Sequence, residues 1–180
     1  RVFRNTHISL RFPKPVDIVQ IHSDGNEILA KYVDRSSISV VDPSKLNFWI
    51  LLKCIFTAKF HLQGYAVEVI KIQRPRVVIT FIDNDTNFYL LKSLLPSPVY
   101  IAIQNGLRHN YAYAYQDGFV DRLVGAGGTD RLSADTICTF GKSSSALFEG
   151  NIRTNTLVVG SLKNNLIDVT APDNLEYDIV

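Results

Sequence analysis

A chain of 180 residues with 46% hydrophobic content and no low-complexity tract is long enough for one compact core, and a second full domain is not expected. Its 19 basic and 17 acidic residues leave a formal charge of +2, which gives no large single-sign field of the kind that governs nucleic-acid binding. The longest apolar-rich segment, Phe48 to Phe60, is broken by Lys53 and Lys59 and falls short of the ~20 apolar residues needed to cross a bilayer.

In chain order, Val16–Ile21 reads as an apolar strand that runs into His22-Ser23-Asp24-Gly25, followed by a short helical stretch from Asn26 to Val33. Ser37–Val41 is a second strand, closed by Asp42 and Pro43. From Leu46 to Gln73, apolar residues at Phe48, Leu51, Leu52, Ile55, Phe56 and Phe60 follow the three-four spacing of one helix face, with Gly64 as a kink or junction. Val77–Ile82 is a continuous apolar run, the mark of a parallel strand covered on both faces. A helix from Thr86 to about Leu95, a turn at Pro96 and Pro98, and the strand Val99–Ile103 come next. Arg108 to Gly128, rich in Tyr and Gly, is expected to be a partly mobile loop with a short helix. Ala134–Phe140 reads as a strand, Gly141–Ser144 as a turn and cap, Ser145–Gly150 as a short helix, and Thr156–Val159 as a last strand. Alternating strands and helices imply an α/β fold: a Rossmann-like, mostly parallel sheet with helices on both faces and right-handed crossovers. One domain over residues 1–170 is expected, with 171–180 as a linker. Because the chain opens on Arg1 and Glu176–Val180 resembles a strand just begun, it reads as a piece of a longer protein.

Polar residues at the strand ends are the candidates for chemistry, since open α/β sheets bind ligands at the carboxyl ends of their strands. Asp83 and Asp85 follow the Val77–Ile82 run; either could serve as a general base or orient a sugar hydroxyl, and Asp85 equally suits the cap of the next helix. Gln104, Asn105 and Gly106 follow Val99–Ile103, offering two amides and a close backbone approach, or else only a tight turn. The two ends are expected to share one crevice. Arg108 could grip an anion and His109 could exchange protons, although loop residues of these types are commonly just solvated. His22 could bring a base to the same rim or merely hold a turn. Ser143 and Ser144 in Gly141-Lys142-Ser143-Ser144-Ser145 offer hydroxyls for an anionic group, with an ordinary helix cap as the plainer account.

Several chemistries lack their motifs. Neither the G-x-x-x-x-G-K-[ST] phosphate loop nor a G-x-S-x-G elbow is present, and Gly125-Ala126-Gly127-Gly128 misses the dinucleotide spacing. His7, His22, His61 and His109 show no metal-ligand spacing, and Cys54 and Cys138, far apart inside apolar segments, read as buried thiols of a cytosolic protein.

The runs VVITFIDNDTNFYLL, VYIAIQNGLRHN, ADTICTFGKSSSALFEG and TLVVGSLKNN together resemble the amino-terminal half of bacterial surface-carbohydrate (capsule or lipopolysaccharide) biosynthesis proteins. These are similar to glycosyltransferases of the two-domain GT-B type and to teichoic-acid glycerophosphotransferases. The resemblance covers about Val16 to Asn165, with its motifs at Ile82–Asn84, Gln104–Gly106, Ala134–Gly141 and Val159–Asn165. It implies an acceptor-side domain that needs no cofactor of its own, while a missing second domain, beginning near Tyr177, would hold a nucleotide-sugar donor. The expected function is therefore glycosyl transfer to a glycan or lipid-linked acceptor, with Asp83 as base, His22 and His109 as deputies, and Gln104, Asn105 and Arg108 positioning the acceptor. Such a protein would be cytoplasmic, and a lipid-linked acceptor would bring it to the inner face of the membrane. A non-catalytic α/β sugar-binding or scaffolding domain and a sugar-nucleotide epimerase are the alternatives.

Overall fold

A computed structural model describes residues 6–106 and 123–166. Six parallel strands form the main sheet: β2 (Ile18–Ile21), β3 (Ile38–Val41), β5 (Val77–Thr80), β6 (Val99–Ile103), β7 (Ser133–Thr139) and β8 (Arg153–Val158), in the spatial order β3-β2-β5-β6-β7-β8. Two further short strands, β1 (His7–Ser9) and β4 (Lys45–Asn47), pair in parallel with each other. The helices are α1 (Asn26–Leu29), α2 (Phe48–Phe56), α3 (Leu62–Gln73), α4 (Thr86–Leu94), α5 (Gly128–Arg131) and α6 (Lys142–Glu149), with 3-10 turns at Arg35–Ser37 and Leu162–Leu166. The architecture is the Rossmann-like α/β sandwich expected from the alternating pattern.

Successive strand residues point to opposite faces, and two cores result. Val19, Val78, Tyr100, Ala102 and Ile137 pack with α2, α3, α4 and α6, through residues such as Ile50, Ile70, Phe88 and Phe148. On the other face, Ile79, Phe81 and Ile103 meet Ile28 and Leu29 of α1, with Leu162 beside them. Phe88 anchors the larger core, its ring edge-on to Tyr89 and Tyr100 at 5.5 and 5.8 Å.

The expected helix over Leu46–Gln73 divides into three elements. Lys45–Asn47 is strand, and the Asn47 side chain accepts from the amides of Trp49 and Ile50 to start α2. That helix stops at Thr57, Ala58 turns left-handed (φ 54°), and His61 caps α3 through Nδ1, which accepts from the Gly64 amide at 3.0 Å. Gly64 therefore lies inside the first turn of α3, where an added Cβ would come within 2.7 Å of Lys59 Cβ. The residues whose spacing suggested one continuous helix face are not a buried face: Phe48, Ile55, Phe56 and Phe60 are exposed, and α2 turns Ile50 and Cys54 into the core instead. α3 ends at Arg74 (φ 50°) just before Pro75, which disfavours further helix. α6 begins three residues earlier than expected, at Lys142.

Sheet order decides where a ligand can sit. From β2 the chain moves outward to β3, crossing by α1 on one face; from β3 it returns past β2 to β5, crossing by α2 and α3 on the other. The direction reverses between β2 and β5, and a crevice opens at such a reversal, beyond the strands' carboxyl ends.

Candidate functional site at the β2/β5 switch point

His22 directly follows β2, and Asp85 lies five residues beyond β5 as the N-cap of α4. Parallel pairing of Ile21 with Thr80 brings the two strand ends level, and His22 Nε2 stands 3.0 Å from Asp85 Oδ2. Thr80 Oγ1 donates to the Ile21 carbonyl at 3.1 Å and accepts from the Ile82 amide at 3.1 Å, which stitches the floor of the crevice. A cleft of about 400 Å³ opens here, with His22, Gln63, Asn84, Asp85 and Asn87 as polar lining and Ile21, Val41, Leu62, Ala66, Phe88 and Leu91 as apolar lining. An apolar cleft with a few convergent polar groups suits a small polar ligand with one hydrophobic face.

The loop that presents His22 is held from below. Gln20, fully buried, donates through Nε2 to the carbonyls of His22 and Asp24 at 2.9 and 2.8 Å, and the His22 amide donates to the Val41 carbonyl at 3.0 Å. His22 itself is left-handed (φ 67°), uncommon for a residue with a Cβ. Gly25 (φ 74°) lets the loop pass over Phe81, whose ring atoms would lie 2.3–2.7 Å from any Cβ there.

The hydrogen bond to Asp85 raises the His22 pKa above its ordinary value against the opposing effect of burial, and the charges of Asp85, Asp24 and Asp42 push the same way. Burial pushes the Asp85 carboxyl up, but the His22 hydrogen bond, the Asn87 amide and the His22 charge outweigh it and hold the carboxyl below its usual range. The Asp85 side chain thus does two things: Oδ2 faces His22, and Oδ1 accepts from the Asn87 amide at 3.0 Å.

The expected crevice between the β5 and β6 ends takes a different form. The two strands are neighbours, and Asp83 does meet the Gln104-Asn105-Gly106 turn: its Oδ1 accepts from the Asn105 amide at 3.0 Å. Yet Asp83 has no exposed surface and Gln104 only 3%. Gln104 donates through Nε2 to the Gly106 carbonyl at 2.7 Å and to Ser144 Oγ at 3.3 Å, and its Oε1 accepts from the Phe140 amide at 2.7 Å. Asp83 and Gln104 are thereby corrected from solvent-facing groups to buried clamps that tie three strand ends together, with Ser144 as part of the clamp. Asn105 and Gly106 are half-buried beside them, and Ser143 is exposed on the first turn of α6. Arg108 and His109 lie outside the described residues, as do most of the Tyr-rich segment and the expected linker at 171–180.

Of the candidate residues, the structure brings His22 and Asp85 together, and it adds Gln63, Asn84 and Asn87, which the sequence reading did not single out. Among the described residues no group of three His, Cys, Asp or Glu side chains is gathered that could hold a metal ion, and no helix is long and apolar enough to cross a membrane. Burial raises the pKa of both Cys54 and Cys138 and so disfavours their reactive thiolates.

Fold and site define the class: a Rossmann-like α/β domain with a His–Asp pair at its topological switch point. Compared with protein-family models, with curated proteins and with solved structures, the chain matches none.

Proposed function

We propose that the chain is the acceptor-side domain of a glycosyltransferase of bacterial surface polysaccharide biosynthesis, with His22 as the general base and Asp85 as its positioning partner. The observation that carries this reading is the His22–Asp85 contact of 3.0 Å inside a cleft at the sheet's reversal point. Asp85 accepting from Nε2–H leaves Nδ1 as the basic nitrogen, and the carboxylate stabilises the imidazolium that forms when a proton arrives. His22 would take the proton of an acceptor hydroxyl as that oxygen attacks the anomeric carbon; the bond to the nucleotide diphosphate breaks, and the diphosphate leaves with the electron pair. The donor sugar belongs to the second domain that the motif resemblance implies. Asn84, Asn87 and Gln63 supply amides for the acceptor's other hydroxyls.

The test uses the complete protein with labelled nucleotide sugars. His22→Gln should lower kcat by about 10²–10⁴-fold with the circular dichroism spectrum unchanged. Since the base must be neutral, kcat/KM should rise with pH through a midpoint above the ordinary histidine value of about 6.5. Wild-type turnover in the variant, or no transfer from any nucleotide sugar, would sink the proposal. Conversion of the labelled sugar without an acceptor would indicate an epimerase, and sugar binding without turnover a binding module.

A further inference from the structure

Helix α2 reads FWILLKCIF, with Lys53 as its one charged residue. It buries Ile50 and Cys54, yet Phe48, Trp49, Ile55 and Phe56 are exposed, and at 100° per residue they join the half-buried Leu52 in one apolar arc bordered by Lys53. The surface extends beyond the helix. The Phe12 ring lies 6.0 Å from that of Trp49, and Trp49 Nε1 donates to the Leu10 carbonyl at 2.8 Å. Phe12, Phe56 and Phe60 are 70%, 79% and 77% exposed. Exposed aromatic rings gathered in this way mark a binding face.

Charge identifies the occupant. Residues 6–16 and 44–67, which contain this surface, carry five Lys or Arg residues and no Asp or Glu, leaving fourteen basic against seventeen acidic residues in the rest of the sequence. Arg11, Lys14, Lys45 and Lys53 are exposed, whereas Lys59 is engaged at 2.6 Å with the buried Glu68. Apolar rings beside basic side chains fit the interface of an anionic bilayer, where rings enter the acyl boundary and cations meet the headgroups. A second copy of the chain would set one cationic face against another.

We infer that the α2 face, with Leu10 and Phe12, docks peripherally on an anionic lipid surface. The inference stands on this face alone and is independent of the proposed chemistry. It has a structural consequence for the cleft: Leu62, two residues after Phe60, is itself exposed and lines the His22 cleft, so the docked face borders the site's mouth.

Trp49 is the chain's only tryptophan, so its emission reports on this face without labelling. Phosphatidylcholine vesicles doped with phosphatidylglycerol should co-sediment the protein and shift that emission to the blue. Pure phosphatidylcholine should bind it more weakly, and about 1 M salt, where the Debye length is about 3 Å, should release most of it. The double variant Phe56→Ser/Phe60→Ser removes two exposed rings without touching the core and should lower partitioning at least about tenfold; Lys53→Glu should lower it about fivefold or more. Failure of anionic vesicles to bind wild type, or undiminished binding by the folded double variant, overturns the inference. So does light scattering that finds a dimer dissolved by the double variant while vesicles leave wild type in solution, since the face would then be an interface between copies.

Discussion

Replacing Asp85 by Asn separates the two jobs of that side chain. Asn caps helices about as well as Asp, so the bond from the Asn87 amide is retained, whereas the charge facing His22 is lost. With 24% and 17% of the His22 and Asp85 side chains exposed, the pair is too sheltered to be treated as a surface ion pair. With its one oxygen kept on the Asn87 amide, the Asn side chain turns its NH2 toward His22, and an imidazolium N–H cannot accept from it. A hydrogen bond to a charged group contributes about 1.5–3 kcal/mol, so the substitution should cost about that much while His22 is protonated. The sign follows from linkage. The raised His22 pKa stabilises the fold in full below its unfolded value of about 6.5 and ceases to do so as pH rises through the higher folded value; the lowered Asp85 pKa contributes above its unfolded value of about 3.9 and is lost as pH falls through the folded one.

The full effect therefore occupies about pH 4 to 6.5. Urea unfolding at about pH 5.5 should show the larger loss at an unchanged m-value, and at about pH 9 the loss should shrink. The difference between the two losses must equal the fall in the His22 pKa, read by NMR titration in wild type and variant, multiplied by about 1.4 kcal/mol per unit. The charges of Asp24 and Asp42 also act on His22, and the Ser44 amide holds the Asp42 carboxyl below its usual range. Equal losses at both pH values, or a His22 titration that does not move, would refute the coupling on which the proposed base depends.

Gly25→Ala should cost about 2–4 kcal/mol, from the left-handed backbone and from crowding against the buried Phe81 ring; a thermal melt that moves by less than a degree would mean that the loop relaxes freely. Gln104→Met keeps the side-chain length but strips partners from the Phe140 amide and the Gly106 carbonyl, both half-buried, and should cost about 2–3 kcal/mol in urea unfolding. Any ligand of the His22 cleft should bind that variant normally, and selective loss of binding at full stability would return Gln104 to the site.

The strands were legible because a central parallel strand has no solvated face, so Val77–Thr80 and Val99–Ile103 appear as unbroken apolar runs. A capping side chain did not by itself make a helix start legible: the start after Asp85 could be read, whereas Asn47 and His61 cap α2 and α3 inside a stretch that reads as one helix, and α1 was legible from Asn26 without any side-chain cap bond. β1 and β4, three residues each, lie below the length at which alternation can be recognised. In the site, His22 and Asp85 were each visible as strand-end polar residues, but 63 positions separate them, and nothing short of the strand order says that they meet.

That strand order also explains why the polar ends of β5 and β6 proved to be internal. Consecutive strands joined by right-handed crossovers that advance in one direction keep their connections on one face, as α4 and α6 do here, and each connection closes over the strand ends it leaves. A carboxylate or amide at such an end must then find partners inside the protein, which Asp83 does at the Asn105 amide and Gln104 at the Phe140 amide. Only where connections depart to opposite faces, α1 from β2 to one and α4 from β5 to the other, does the chain leave a gap above the sheet, and there His22 and Asp85 keep part of their surface in water. A polar residue after a buried strand is therefore a clamp or a ligand group according to which way the neighbouring crossovers run. In this sheet the β2/β5 boundary is where they diverge.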